Sequence, residues 1–154
     1  MRNAALILYS LGLALSVTAW AADPFVGTWK FDPKQSKSSG NQPRSEIYRI
    51  AAKGSAGVAL TKEYVSSNGV PHHITGTCKF DGRDYPVTGH PLPDATRALK
   101  RIDAHTWEMT LRSAGKPAQE TREVVSNDGN TLTVTGTVTV SGQIHDFTMI
   151  YTRQ

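Results

Sequence analysis

Residues 25–31 have the sequence Phe-Val-Gly-Thr-Trp-Lys-Phe, and they predict the strand around which the rest of the chain is organised. In an extended strand, successive side chains point to opposite faces. Phe25, Trp29 and Phe31 therefore share one face and the even-numbered residues share the other, as in a half-buried strand. Residues 147–153 form a last strand of similar character. If the first and last strands pair, the sheet closes into a barrel without exposed edges.

The first 21 residues have the features of an export signal. Arg2 supplies a basic start, residues 4–17 form an apolar run, and Ala19-Trp20-Ala21 matches the small-x-small cleavage pattern. The run is shorter than the roughly 20 apolar residues of a membrane-spanning helix. We therefore predict that residues 1–21 are a signal peptide that is removed and that residues 22–154 form one domain. This domain would be periplasmic or secreted, without stable membrane insertion; an uncleaved anchor is the alternative.

Composition narrows the class of protein further. About 130 residues after the leader suit one domain. Cys78 is the only cysteine, which excludes an intramolecular disulfide and predicts a buried inert thiol, with a reactive thiol as the alternative. The formal net charge of +4 is spread along the chain and forms no basic stripe with interleaved aromatic residues. We predict a monomer that binds no nucleic acid.

Short alternating segments follow, separated by turn residues about every 8–12 positions. Asn68-Gly69 is a strong hairpin signal, and residues 131–140 alternate most clearly between aliphatic side chains and threonine. Residues 32–44 are polar, lack periodicity and predict a loop, either a lid or a flap. The chain is predicted to be all-β: an antiparallel up-and-down β-barrel of about eight to ten strands. A Greek-key sandwich is the alternative.

The opening strand, with its Gly27-Thr28-Trp29, resembles the first strand of lipocalins and cytosolic fatty-acid-binding proteins, the calycins. Residues 149–153 resemble their closing strand, and residues 80–89 (Phe-Asp-Gly-Arg-Asp-Tyr-Pro-Val-Thr-Gly) resemble a phrase of small uncharacterised exported bacterial proteins of lipocalin-like type. The resemblance implies a barrel closed at the Gly-x-Trp end. Two departures are visible. Residues 32–45 are too few and too polar for the two portal helices of fatty-acid-binding proteins, and Met149 stands where their carboxylate-binding Arg precedes the closing-strand Tyr.

Candidate ligand-binding residues lie on the predicted inner faces of the strands. We expect a small apolar or amphipathic molecule in the lumen, bound mainly by apolar burial at about 25 cal/mol per Å². The alternative is that the same side chains fill the barrel as the packed core of a structural or interaction protein of the envelope. The candidates are Trp29, Tyr64, Trp107, Met109, Phe147, Tyr151 and Arg153.

Arg153 has two predicted roles. With Tyr151 it would hold an anionic headgroup, or it would lie across Trp29 as a cation–π cap on the barrel floor. Calycins use an arginine in the second way, so the resemblance favours the cap.

Enzyme signatures are absent from the sequence, which has no Gly-x-Ser-x-Gly elbow, Walker-type loop or zincin helix. No catalytic residue is predicted. The remaining enzymatic hypothesis is a cluster of Asp84, Tyr85 and His90 around the proline-rich segment at residues 86–93.

The five histidines have no spacing typical of a metal site. His72 and His73 are adjacent on a strand and must point to opposite faces. We expect no metal and no resident cofactor. Haem bound through His145 is the one alternative, because a closing-strand histidine is the haem ligand in some ten-stranded barrels that this chain resembles.

Overall fold

The computed structural model describes residues 23–154, so the predicted signal peptide lies outside the described residues. Ten strands account for most of this part of the chain. They are β1 (Gly27–Ser38), β2 (Ser45–Lys53), β3 (Gly57–Val65), β4 (Pro71–Lys79), β5 (Tyr85–Thr88), β6 (Thr96–Asp103), β7 (Thr106–Ser113), β8 (Lys116–Val125), β9 (Thr131–Val140) and β10 (Gln143–Arg153).

The strands form one closed antiparallel barrel in which each pairs with its neighbours in sequence and β1 pairs with β10. Trp29 lies opposite Arg153 and Phe31 lies opposite Tyr151 in that closing pair. This confirms the predicted all-β, up-and-down barrel, and the ten strands match the upper end of the predicted eight to ten. The Greek-key alternative is wrong. Short connections join neighbouring strands, as the frequent turn signals require.

β1 is longer than the sequence predicted. The loop expected over residues 32–44 is wrong for its first half, because β1 continues to Ser38 through an irregularity between Asp32 and Lys37. The Ser36 hydroxyl donates to the Asp32 carbonyl and accepts the Ile150 amide of β10. A bulge tolerates a polar sequence and a proline without an N–H. The partner strand that stabilises it lies more than a hundred residues away in sequence.

β5 is a weak strand of four residues. It pairs with β4 at only two positions, Thr75 with Thr88 and Gly76 with Val87. Pro86 has no N–H to donate to a ladder. The chain then leaves the sheet over residues 89–95, and this irregular segment brings His90 to the lumen.

The end of the barrel that holds the first and last described residues is called here the closed end. Phe25 inserts there and stacks on Trp107 with ring centroids 3.9 Å apart. The Trp29 indole N–H donates to the Phe25 carbonyl at 2.9 Å. Cys78 is buried, and burial raises the pKa of its thiol. The largest fully buried apolar side chains form one contiguous core: Phe25, Trp29, Tyr48, Val58, Leu60, Cys78, Leu99, Trp107, Val125, Leu132 and Tyr151.

The opposite end, which holds the β1–β2 connection at residues 39–44, is called the open end. Alternation places the mainly apolar faces of β3, β7 and β9 inward, as predicted. Over residues 23–154 no helix is long and apolar enough to cross a membrane.

Candidate functional site

A cavity of about 130 Å³ lies inside the barrel. Its lining combines apolar side chains with charged and polar ones, which distinguishes it from the packed core below. The lining residues are Glu46, Tyr48, Lys62, Tyr64, Ile74, His90, Arg97, Met109, Leu111, Gln119 and Met149. β2, β3, β6 and β7 supply most of them, because strand alternation aims every second side chain of these strands inward.

One wall of the cavity carries an ion pair. The Lys62 ammonium lies 3.0 Å from Glu46 Oε1, and the Tyr151 hydroxyl donates to the same oxygen at 2.9 Å. The ammonium also lies 4.4 Å from the centroid of the Tyr48 ring. Burial raises the pKa values of Tyr48 and Tyr151 well above the usual range, so both hydroxyls remain protonated. Two of the protein's own groups thus contact Oε1 of Glu46.

Arg97 forms another part of the wall and is only 4% exposed. Its Nε atom has no hydrogen-bond partner within the described residues. None of the six ion pairs found in residues 23–154 includes Arg97. A buried guanidinium is always charged, and a buried charge is costly unless it is paired.

His90 reaches the cavity from the segment between β5 and β6. Its Nδ1 accepts the Leu92 amide at 3.1 Å, which leaves the ring proton on Nε2. Burial, followed by the charges of Arg97 and Lys62, lowers the pKa of His90 to about 4. At neutral pH the ring is thus an uncharged hydrogen-bond donor.

A second cavity of about 260 Å³ lies at the open end, beneath residues 41–43. It shares Glu46, Tyr64 and Met149 with the inner cavity. The Tyr64 ring stacks on His72 at 4.6 Å between centroids, and this pair forms a flat aromatic wall beside the shared residues. We call the second space the mouth cavity.

A larger concavity, of about 450 Å³, lies outside the lumen over Gly136. Serine and threonine side chains of β1, β9 and β10 form much of its surface, with Lys37 and Asp146 at exposed positions. Its lining includes no buried charged side chain. The lumen, with its buried charges, is the better candidate for specific recognition.

The candidates named from the sequence divide into two groups. Tyr64 and Met109 line the inner cavity, and Tyr151 contacts its Glu46. The others, Trp29, Trp107, Phe147 and Arg153, do not line it; the first three belong to the packed core. Their predicted role in ligand binding stays a prediction.

Arg153 lies at the closed end. Its guanidinium is 4.2 Å from the centroid of the Trp29 ring, which is the cap geometry. Its nitrogens donate to the carbonyls of Gly129, Val26 and Pro24. Arg101 covers Phe80 on the same floor at 4.1 Å.

The hypothetical catalytic cluster is not assembled. Asp84 pairs with Arg112, and the Tyr85 hydroxyl donates to Asp81. No hydrogen bond or ion pair in the described structure joins any two of Asp84, Tyr85 and His90.

The other histidines lie apart from one another. His72 and His73 point to opposite faces, as predicted: His72 stacks on Tyr64, whereas His73 is exposed near Glu63. His145 packs beside Gly40 at the open end, and haem binding through it stays a prediction. In residues 23–154 no group of three His, Cys, Asp or Glu residues is placed to hold a metal ion.

Four lining residues were not predicted from the sequence as site residues: Glu46, Lys62, Arg97 and Gln119. A signal was present for Lys62, which shares the alternating face of Val58, Leu60 and Tyr64. A basic residue on an otherwise inward face is unusual and indicates an internal polar site.

No protein-family model matches the sequence, and no curated protein matches it. Among solved structures, a single-substitution variant of the fluorescent protein UnaG is similar with a TM-score of 0.57 at 13% identity, over 85% of this chain and 96% of that one. Wild-type UnaG is similar with a TM-score of 0.56 at 12% identity, over 84% of this chain and 97% of that one. Similarity at such low identity shows the fold alone. The chain shares the fold of these barrels, and its ten-stranded closed antiparallel sheet is consistent with the lipocalin-like and fatty-acid-binding-protein-like architecture that the resemblance predicted.

Proposed function

We propose that this protein is an exported monomeric barrel that binds a small amphipathic molecule in its lumen. The observation that carries the proposal is the inner cavity, whose lining is both apolar and charged and which shares Glu46, Tyr64 and Met149 with the mouth cavity. A ligand would place its polar end among the buried charges and its body towards the open end.

The dimensions support a small ligand. The two cavities of about 130 and 260 Å³ together reach the lower end of the roughly 300–1,000 Å³ typical of small-molecule sites. Apolar burial against Ile74, Met109 and Leu111 would supply affinity, at about 25 cal/mol per Å². The polar groups would set orientation.

The second candidate is an envelope protein with a filled barrel and no ligand. The extent of the packed core favours it, and so does the small volume of the inner cavity taken alone. The two candidates differ in whether the lumen admits a molecule from solution.

Native mass spectrometry of protein expressed with its own leader tests the proposal. A mass excess that disappears on denaturation, and whose extract contains one class of small molecule, is the expected result. The same spectrum reports the oligomeric state, and cell fractionation together with the mature N-terminal mass tests export and cleavage.

A neutral fluorescent probe, N-phenyl-1-naphthylamine, provides an independent assay. Met149→Trp should fill the passage shared by the two cavities and reduce probe binding at least ten-fold. Ile144→Trp adds the same side chain at a site that is 72% exposed and should leave binding unchanged. Absence of both a mass excess and probe binding would favour the filled barrel.

A further inference from the structure

We infer that the polar end of the ligand is an anionic group, a carboxylate on a compact body, held in the inner cavity by Arg97 with Lys62 and His90. This inference deepens the proposed function and rests on it. It names the chemical class of the ligand and the residues of β3, β6 and the β5–β6 segment that would recognise it.

Arg97 is buried at the cavity with a hydrogen-bond donor that is unsatisfied within the described part of the chain. Its side chain lines the cavity and is 4% exposed, and its Nε has no partner within residues 23–154. Guanidinium presents N–H donors in a planar fork that matches a carboxylate, and such bidentate pairs are among the strongest hydrogen bonds in proteins. A carboxylate in the cavity would pair with a charge that the protein itself leaves without an ion-pair partner.

The lining itself carries more cationic than anionic side chains. Lys62 and Arg97 are two cations in the lining, and Glu46 is its one carboxylate. Glu46 already accepts from both Lys62 and Tyr151. Within the lining, a ligand carboxylate would pair with Arg97, which makes no ion pair in residues 23–154.

Glu123 is another buried carboxylate of the barrel, and its charge, like that of Arg97, affects the pKa of Tyr48. It is 1% exposed, accepts from Thr121 at 3.3 Å, and lies outside the cavity lining. Its Oε2 has no partner in the described part of the chain, and it forms no ion pair with Arg97 there.

His90 and Lys62 also add hydrogen-bond donors to the lining. His90 accepts from the Leu92 amide through Nδ1, so its remaining ring nitrogen carries a proton for donation. The Lys62 ammonium has three N–H donors, one of which faces Glu46. Donors directed at one space favour an acceptor-rich group such as a carboxylate over a hydroxyl or an amine.

The volume limits the body of the ligand. About 130 Å³ holds a headgroup and a compact body, and a larger molecule must extend past Met149 into the mouth cavity. Ile74, Met109 and Leu111 offer an apolar wall for a short or planar body. A compact carboxylate therefore fits the lumen better than a long alkyl chain.

Calorimetric titration with benzoate and with benzamide tests the inference. The two probes have nearly the same shape and differ in charge. We expect wild-type protein to bind benzoate at least ten-fold more tightly than benzamide. Arg97→Gln should abolish this preference and leave benzamide binding within two-fold of wild type. Arg97→Lys, which keeps the charge and loses the fork, should retain part of the preference.

Arg122→Gln is the matched control, since Arg122 is exposed on the outer wall and pairs with Glu108. It should behave as wild type. Equal affinities of the two probes for wild-type protein, or no binding of either, would overturn the anion site. So would benzoate binding that Arg97→Gln leaves unchanged.

The two proposals fail differently. If N-phenyl-1-naphthylamine binds while benzoate shows no advantage, ligand binding stands and the carboxylate site does not. If no probe binds, the proposed function itself fails. Should Arg97→Gln not fold, the wild-type comparison and Arg97→Lys decide the question.

Discussion

The Arg153 guanidinium lies 4.2 Å from the centroid of the Trp29 ring, and this contact joins the last strand to the first at the closed end of the barrel. The same guanidinium donates to three backbone carbonyls, those of Pro24, Val26 and Gly129. One side chain thus ties together the N-terminal segment, the β8–β9 turn and the closing strand. We expect its role to be one of stability at the floor, because it does not line the inner cavity.

Replacing Arg153 should therefore cost stability without changing ligand binding. Arg153→Ala removes the cation–π contact and three charge-assisted hydrogen bonds, and we expect a loss of about 2–4 kcal/mol in the free energy of unfolding. Urea denaturation measures the free energy of unfolding, and titration with N-phenyl-1-naphthylamine measures whether the lumen still binds the probe. A loss of probe affinity in folded Arg153→Ala protein would contradict the assignment.

Gly27 is required at its position for a related reason. Its φ is +152°, and a Cβ there would collide with the Arg153 guanidinium. We expect Gly27→Ala to destabilise the fold by about 1–3 kcal/mol, measured by urea denaturation.

Gly142→Ala is the control for Gly27→Ala. Gly142 also has a positive φ, +80°, but no atom lies within 4 Å of its Cβ position. The loss of stability in Gly142→Ala therefore measures backbone strain without a steric collision. In the Arg153→Ala background, Gly27→Ala should lower the free energy of unfolding by less than it does in wild-type protein. If the losses of the two substitutions were strictly additive, the proposed collision would be contradicted.

The pair of Glu46 and Lys62 should behave as a buried ion pair. Their side chains are 7% and 17% exposed, and their charged atoms are 3.0 Å apart. Lys62→Met leaves the Glu46 carboxylate without its cation, and we expect a loss of about 3 kcal/mol.

A double-mutant cycle measures the coupling. Glu46→Gln combined with Lys62→Met removes both charges and should be less destabilising than Lys62→Met alone. The exposed pair of Arg49 and Glu63 is the control, with an expected coupling of about 0–1 kcal/mol. Equal coupling in the two cycles would show that burial contributes nothing.

Stability should depend on pH through His90. Burial, with Arg97, Lys62 and His72 nearby, lowers its pKa from 6.5 to about 4. Between these values the unfolded chain binds more protons than the folded one. The free energy of unfolding should therefore fall as pH is lowered from about 6.5 to about 4, with no further loss from this group below that.

His90→Gln removes this titration and should flatten the pH dependence in that window. Urea denaturation at several pH values measures it. His73→Gln is the matched control, because His73 is exposed on the outer wall beside Glu63. An unchanged slope in His90→Gln would show that the ring does not titrate as its burial requires.

Much of the fold could be predicted because its determinants are local. Strand alternation showed that Trp29, Lys62 and Trp107 share faces with apolar neighbours, and turn pairs such as Asn68-Gly69 showed that neighbouring strands pair. The extension of β1 could not be predicted, since Ser36 is stabilised by Ile150 of the last strand.

Less of the candidate site than of the fold could be predicted from the sequence. Strand alternation predicts that a side chain points inward. It does not predict how far along the barrel axis the side chain lies or which residue faces it across the lumen. Trp29 and Trp107 point inward and fill the floor, whereas Lys62 and Arg97 point inward and line a cavity. The sequence by itself determined most of the strands, their faces and the pairing of neighbouring strands, because two-residue periodicity and turn chemistry act between near neighbours. The pairing of β1 with β10, which closes the barrel, joins residues more than a hundred positions apart and was fixed by the tertiary structure. Only the tertiary structure decided where the lumen stays open and which charges meet there, because the tilt and stagger of the strands bring residues from β2, β3 and β6 to one level.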